Sequence, residues 1–189
     1  MDDIILVAFG GHAKSAADSI ERGGRYNIIG YIDAEDKKCQ YKYLGTDEVL
    51  QQYLDMGYDK LVICIGYLGK GEIRENLYKL LKKQGFSFPP IIDPSAIVSS
   101  SATVAEGTFI GKNVVVNAEA KIGKMCIINT AAVIEHECVV GDFSHISVGA
   151  VLCGQVTVGK AAFIGANATV IQCRTVEERK IIPAGHTER

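Results

Sequence analysis

The chain has 189 residues, 48% of them hydrophobic, and a formal net charge of −2. That is enough apolar material for one large core or two small ones, and too little charge to draw the protein to nucleic acid or to a membrane surface. Met1-Asp2-Asp3 carries no basic region and the apolar run after it is only strand length, so neither a signal peptide nor a membrane span is expected, and a cytoplasmic location is.

The first stretch reads as parallel α/β. An apolar strand from Ile4 to Phe9 runs into Gly10-Gly11-His12-Ala13-Lys14 and a helical segment to about Arg22, and a second strand, Ile28 to Ile32, ends at Asp33. Leu61 to Ile65 is a further buried strand ending at Gly66, and Ile73 to Lys83 has the periodicity of an amphipathic helix. These elements predict a small Rossmann-like domain over residues 1–88. Phe88-Pro89-Pro90 marks the boundary, because two successive prolines fit poorly in either kind of element.

From Ile92 the pattern changes. Counting in sixes, every position through Val176 is Ile, Leu or Val, a run whose chance occurrence is on the order of one in a billion when these residues make up about a quarter of a chain. Four residues after each aliphatic the side chains are small or medium-sized, as at Ala96, Ala102, Thr108, Ala120, Cys126 and Ala132. One residue after it Gly111, Gly123, Gly141, Gly159 and Gly165 recur with Asn117 and Asn129, which suggests left-handed backbone there. Hexads of this kind build a left-handed parallel β-helix, three per triangular coil, over 89–189. Arg174 and Lys180 break the small-residue register, so the coil is expected to end near Val170. The six cysteines form no C-x-x-C pair, and several fall on or beside the small positions, where buried thiols are the expectation.

Chemistry could sit in two places. Gly10-Gly11-His12 follows a strand and opens a helix, where backbone amides attract phosphate. The full G-x-G-x-x-G is absent, which argues against a redox dinucleotide. Asp33, 22 residues beyond Gly11, stands where a carboxylate could meet a ribose or base, and Gly66 could line the same cleft. In the solenoid, Ile134-Glu135-His136-Glu137-Cys138 and Phe143-Ser144-His145-Ile146 hold two of the chain's four histidines. Neither falls on the inward step, so both should face outward, and an imidazole beside a carboxylate that stabilises its protonated form is a candidate general base. Strand alternation would put the Glu137 side chain on the other face unless a corner intervenes. No metal is expected, since the solenoid lacks a third histidine to complete a three-histidine zinc site.

Phe9 to Lys14, the linker Ile91 to Ala96, Ile128-Asn129-Thr130, Ile134 to Cys138 and Gly141 to Ser147 together resemble bacterial sugar acyltransferases that join a nucleotide-binding domain to a left-handed β-helix. These are nucleotide-amino-sugar N-acetyltransferases of the PglD and perosamine types and sialic acid O-acetyltransferases of the NeuD type. The resemblance implies a homotrimer, with acetyl-CoA as co-substrate in the groove between prisms and a sugar nucleotide held by the amino-terminal domain. It implies His136 as catalytic base, Glu137 as its acidic neighbour and Asn129 lining the cleft. His145, Gly154 and, through its backbone, Ala166 would contact acetyl-CoA, and Gly10, Gly11, His12, Asp33 and Gly66 would bind the nucleotide sugar. The expected reaction is acetylation of the amine of a nucleotide-linked amino sugar for bacterial glycan synthesis. A sugar O-acetyltransferase and a decayed, non-catalytic trimeric scaffold are the alternatives. The chain departs from the family at Tyr67-Leu68-Gly69-Lys70-Gly71 and after Gln172, where a further glycine-rich coil is missing.

Overall fold

A computed structural model of the chain describes residues 1–66 and 72–189. The segment Tyr67-Leu68-Gly69-Lys70-Gly71, where the sequence departs from the family pattern, lies outside the described residues. Two compact units are present, Met1–Pro89 and Pro90–Arg189. No helix among the described residues is long and apolar enough to cross a membrane.

In the first unit, β1 (Asp2–Val7) buries Ile4, Ile5, Leu6 and Val7. Helix α1 (Gly11–Gly23) turns a stripe of Ala13, Ala16, Ala17 and Ile20 into the core. It stops at Gly24, whose left-handed backbone lets its N–H reach the carbonyls of Ile20 and Glu21. β2 (Tyr26–Ile32) pairs parallel with β1, β3 (Tyr43–Gly45) with β2, and β4 (Leu61–Ile63) with the other side of β1. A short helix α2 (Leu50–Asp55) and the longer α3 (Glu72–Gln84) complete the unit. The order β3-β2-β1-β4 therefore reverses direction at β1. Open parallel sheets bind ligands outside the carboxyl ends of the strands at such a reversal.

The second unit is a parallel β-helix. Two-residue strands recur every six residues from Ile91–Ile92 to Thr187–Glu188 and stack in three parallel sheets, each residue pairing with the one 18 further along. The first face carries Ile127–Ile128 and His145–Ile146, the second Val133–Ile134 and Val151–Leu152, and the third Val139–Val140 and Thr157–Val158. With the aliphatic numbered first in each hexad, first and fifth positions point into the prism and are fully buried from Ile110 to Val170. Each such aliphatic contributes about 1.5–3 kcal/mol by leaving water. Where the fifth position is polar, it donates to the second-position carbonyl of the next coil: Thr108 Oγ1 to Gly123 at 2.7 Å, Ser144 Oγ to Gly159 at 2.9 Å, Cys126 Sγ to Gly141 at 3.2 Å, Cys138 Sγ to Cys153 at 3.1 Å. Hydroxyls and thiols are tolerated in the core because each finds a carbonyl to donate to.

Two expectations need correction. The left-handed backbone lies at the fourth position of the hexad, not the second: Asn113, Glu119, Met125, Ala131, Glu137, Phe143 and Gln155 all have φ between 54° and 62°. Their N–H groups donate to the coil before, as Glu137 to the Ala118 carbonyl at 2.9 Å, which offsets the strain. The second-position glycines answer to space: a Cβ on Gly159 would stand 2.5 Å from the Glu178 nitrogen, and one on Gly165 2.5 Å from that of Ala184. The coil also does not end near Val170. It continues through Thr175–Val176, Ile181–Ile182 and Thr187–Glu188, with Val176 and Ile182 buried on the inward step. Arg174 and Lys180 are accommodated because neither fills the prism there: Arg174 is exposed and Lys180 half-buried, with its Nζ 2.6 Å from the Glu188 carboxylate.

Candidate functional site

His136 and Glu137 occupy the third and fourth positions of the corner that leaves the second face. Glu137 has φ 59°, and this left-handed residue breaks the strand alternation that would have separated the two side chains. His136 Nδ1 lies 3.1 Å from Glu137 Oε2, with the two side chains 56% and 47% exposed. A carboxylate can only accept, so this contact places the imidazole hydrogen on Nδ1 and leaves the lone pair on Nε2. Gly154 sits one coil further along the same corner, and a Cβ there would stand 2.6 Å from Nε2. The missing side chain is what keeps that nitrogen accessible.

The other solenoid candidates lie elsewhere on the prism. Asn129 is at the corner that leaves the first face, where its Oδ1 accepts from the Thr130 N–H at 2.8 Å. Ala166 occupies the same corner two coils on, its carbonyl accepting from Gly185 N–H at 2.8 Å. His145 is on the first face itself. It takes the outward register between Ile127 and Phe163, as expected, but is buried at 9% exposure, edge-on to Phe163 with ring centroids 5.0 Å apart. The structure thus brings His136, Glu137 and Gly154 together at one corner and sets Asn129, His145 and Ala166 along a neighbouring edge. Among the described residues no cluster of His, Cys, Asp and Glu is suited to hold a metal ion.

The first unit opens a cleft of about 420 Å³ at the carboxyl ends of β1, β2 and β4, lined by Gly10, Gly11, His12, Asp33, Lys37 and Gly66 among others. The amino terminus of α1 faces it with no side-chain cap and no acidic residue in the first turn, so its dipole is available to an anion. Gly10 has ordinary extended backbone, and a Cβ on Gly10 or Gly11 would meet nothing within 4 Å. These glycines leave open space at the helix end rather than relieving strain or crowding. Asp33 ties the turn: Oδ2 accepts from Phe9 N–H at 2.8 Å and Oδ1 from Ala34 N–H at 2.7 Å, with Lys37 Nζ 3.4 Å away. Against its burial, those amides and the ammonium hold the Asp33 carboxyl below its usual range.

Sequence reasoning missed Lys37, Cys64, Ile65 and Ile73 in the cleft, which belong to no motif. It also missed Gln155, whose Nε2 reaches Glu137 Oε2 at 3.1 Å. The signal for Gln155 was available, since it stands 18 residues, one full coil, after Glu137.

A family model described as the PglD N-terminal domain matches residues 3–81. No curated protein sequence matches the chain. Among solved structures, a mutant of GDP-perosamine N-acetyltransferase from Caulobacter crescentus, bound to CoA and GDP-perosamine, is 31% identical with a TM-score of 0.93, covering 99% of this chain and 88% of that one. The acetyltransferase domain of PglB from Neisseria gonorrhoeae, in complex with acetyl coenzyme A, is 28% identical with a TM-score of 0.89, covering 98% and 92%. An identity of 31% sustained over both units, beside a domain match confined to the first, means that the chain belongs to the hexapeptide-repeat acetyltransferases of the PglD and perosamine N-acetyltransferase type, a family of acyltransferases.

Proposed function

We propose that this protein transfers an acetyl group from acetyl-CoA to the amine of a nucleotide-linked amino sugar, with His136 as general base. The observation that carries the reading is the His136–Glu137 pair, with Nε2 left open above Gly154. The sugar nitrogen attacks the thioester carbonyl and its proton passes to His136 Nε2. The tetrahedral intermediate collapses with cleavage of the C–S bond, and the same proton goes to the departing CoA sulfur. Glu137 accepts from Nδ1 and offsets the positive charge that the ring carries in between. No covalent enzyme intermediate is required.

The relatives bound to CoA, acetyl-CoA and GDP-perosamine support both substrates. In this reading the nucleotide sugar is held by the first unit, its diphosphate at the α1 amino terminus beside Gly10, Gly11 and His12, with Asp33 and Gly66 lining the cleft. Acetyl-CoA lies along the prism against His145, Gly154 and Ala166, with Asn129 nearby.

The prism faces support a homotrimeric assembly. The outward ladder of the second face is aliphatic over its first four coils, Ile97, Val115, Val133 and Val151, before Thr169 and Thr187, with Ile97 69% exposed. The third face carries Thr103, Lys121, Val139, Thr157 and Thr175. Packing three second faces about one axis covers the aliphatic ladder and sets the His136 corner of each copy against the edge of its neighbour that bears Asn129 and Ala166. The non-catalytic alternative drew on an incomplete solenoid, and the coil that runs on to Glu188 removes that ground.

The test is thiol release from acetyl-CoA with a panel of UDP- and GDP-linked 4-amino sugars. Turnover with one of them supports the reading. Silence across the panel, with neither CoA nor any sugar nucleotide raising the melting temperature, contradicts it.

A further inference from the structure

The geometry points to Gln155 as the positioning residue for the catalytic pair, acting through Glu137; this rests on the reading of His136 as base. Gln155 occupies the same left-handed corner position as Glu137, one coil on, with φ 61°. Its backbone N–H donates to the His136 carbonyl at 2.9 Å, and its side-chain Nε2 donates to Glu137 Oε2 at 3.1 Å. That is the same carboxylate oxygen that meets His136 Nδ1. One residue therefore fixes both members of the pair, the histidine by its main chain and the glutamate by its side chain.

The orientation of the Gln155 amide is set from the far side. Cys173, another coil further along the corner, directs its Sγ to Gln155 Oε1 at 3.3 Å, and its N–H bonds the Gly154 carbonyl at 3.0 Å. With the amide oxygen taken by the thiol, the NH₂ group is the one turned to Glu137. The result is a file of side chains, Cys173, Gln155 and Glu137, spaced by the repeat of the solenoid and ending on His136. Because His136 and Glu137 are half-exposed, water competes for the carboxylate. Holding it by a second hydrogen bond keeps it on Nδ1, and so keeps the Nε2 lone pair on the acceptor side.

The experiment compares Gln155→Leu and the isosteric Gln155→Glu with the wild type and with His136→Ala in the thiol-release assay, and records the imidazole ¹⁵N shifts of His136. Leucine has no donor, and glutamate would face Glu137 with like charge. Both variants should lose about tenfold in kcat, on the scale of one hydrogen bond to a charged group, while KM for acetyl-CoA and for the sugar nucleotide stays at the wild-type value. The ¹⁵N shifts should move from the Nδ1–H tautomer toward a mixture. A wild-type kcat and unchanged shifts in both variants, with His136→Ala inactive, would overturn the positioning role and leave the base assignment standing. An active His136→Ala would instead remove the base assignment, and the role of Gln155 with it.

Discussion

The His136 ring packs over Gly154 of the next coil, where a methyl group would stand 2.6 Å from Nε2 and 2.7 Å from Cε1. Gly154 has no left-handed backbone to relieve, so its role is space. Gly154→Ala should turn the half-exposed ring off Glu137 and lower kcat by about 10²-fold, as a misplacement of about 1 Å can. The denaturation midpoint should hardly change, because the obstructed atoms belong to a mobile side chain. A variant with full activity would mean that Nε2 does not work from this side.

The second-position glycines make the opposite kind of prediction. Gly159→Ala drives a methyl group against the backbone at Glu178, which cannot swing away, and should cost about 1–3 kcal/mol by overpacking. Glu119→Gly at an exposed left-handed position, φ 61°, should leave stability unchanged or raise it by about 1 kcal/mol, since strain is relieved. Urea midpoints of the two variants should therefore separate. Equal losses would show that the two positions are not distinguished in the way described.

Asp33 links the first cleft to acid stability. Its carboxyl is held below the usual 3.8, despite burial, by the Phe9 and Ala34 amides and by Lys37. A depressed folded value means that the group stabilises the fold at neutral pH, and that this contribution fades as pH falls through the unfolded value toward the folded one. Asp33→Asn should accordingly lower the melting temperature at pH 7 and approach the wild type as pH falls below 3.8 toward the depressed folded value. A difference that stays constant from neutral pH through strong acid would contradict the assignment. The same variant should weaken binding of the nucleotide sugar, because Phe9 N–H loses its charged acceptor and the turn before Gly10 loosens.

Much of this was legible because a solenoid writes its core into a fixed period. The step of six located the strands of the β-helix through Val170, and the α/β half followed from Ile4 to Phe9 and the glycines after it. The early end proposed near Val170 came from treating Arg174 and Lys180 as core positions. Arg174 is exposed and Lys180 half-buried, so they are not core positions, and the period itself, still present at the buried Val176 and Ile182, was the better guide. The burial of His145 could not be read, because register says which way a side chain points and not what covers the face. The strand Tyr43–Gly45 is too short to show alternation. The contact of Glu137 with His136 depended on a left-handed corner residue, and glutamate gives no sign of that conformation in sequence.

The most direct test of the account is the turnover of His136→Ala with acetyl-CoA and the best nucleotide amino sugar of the panel. The account predicts a kcat lower by roughly 10²–10⁴-fold, the usual worth of a general base, with KM values and oligomeric state unchanged. Near-wild-type turnover in that variant would contradict it and move the search for the base away from the second-face corner of the prism.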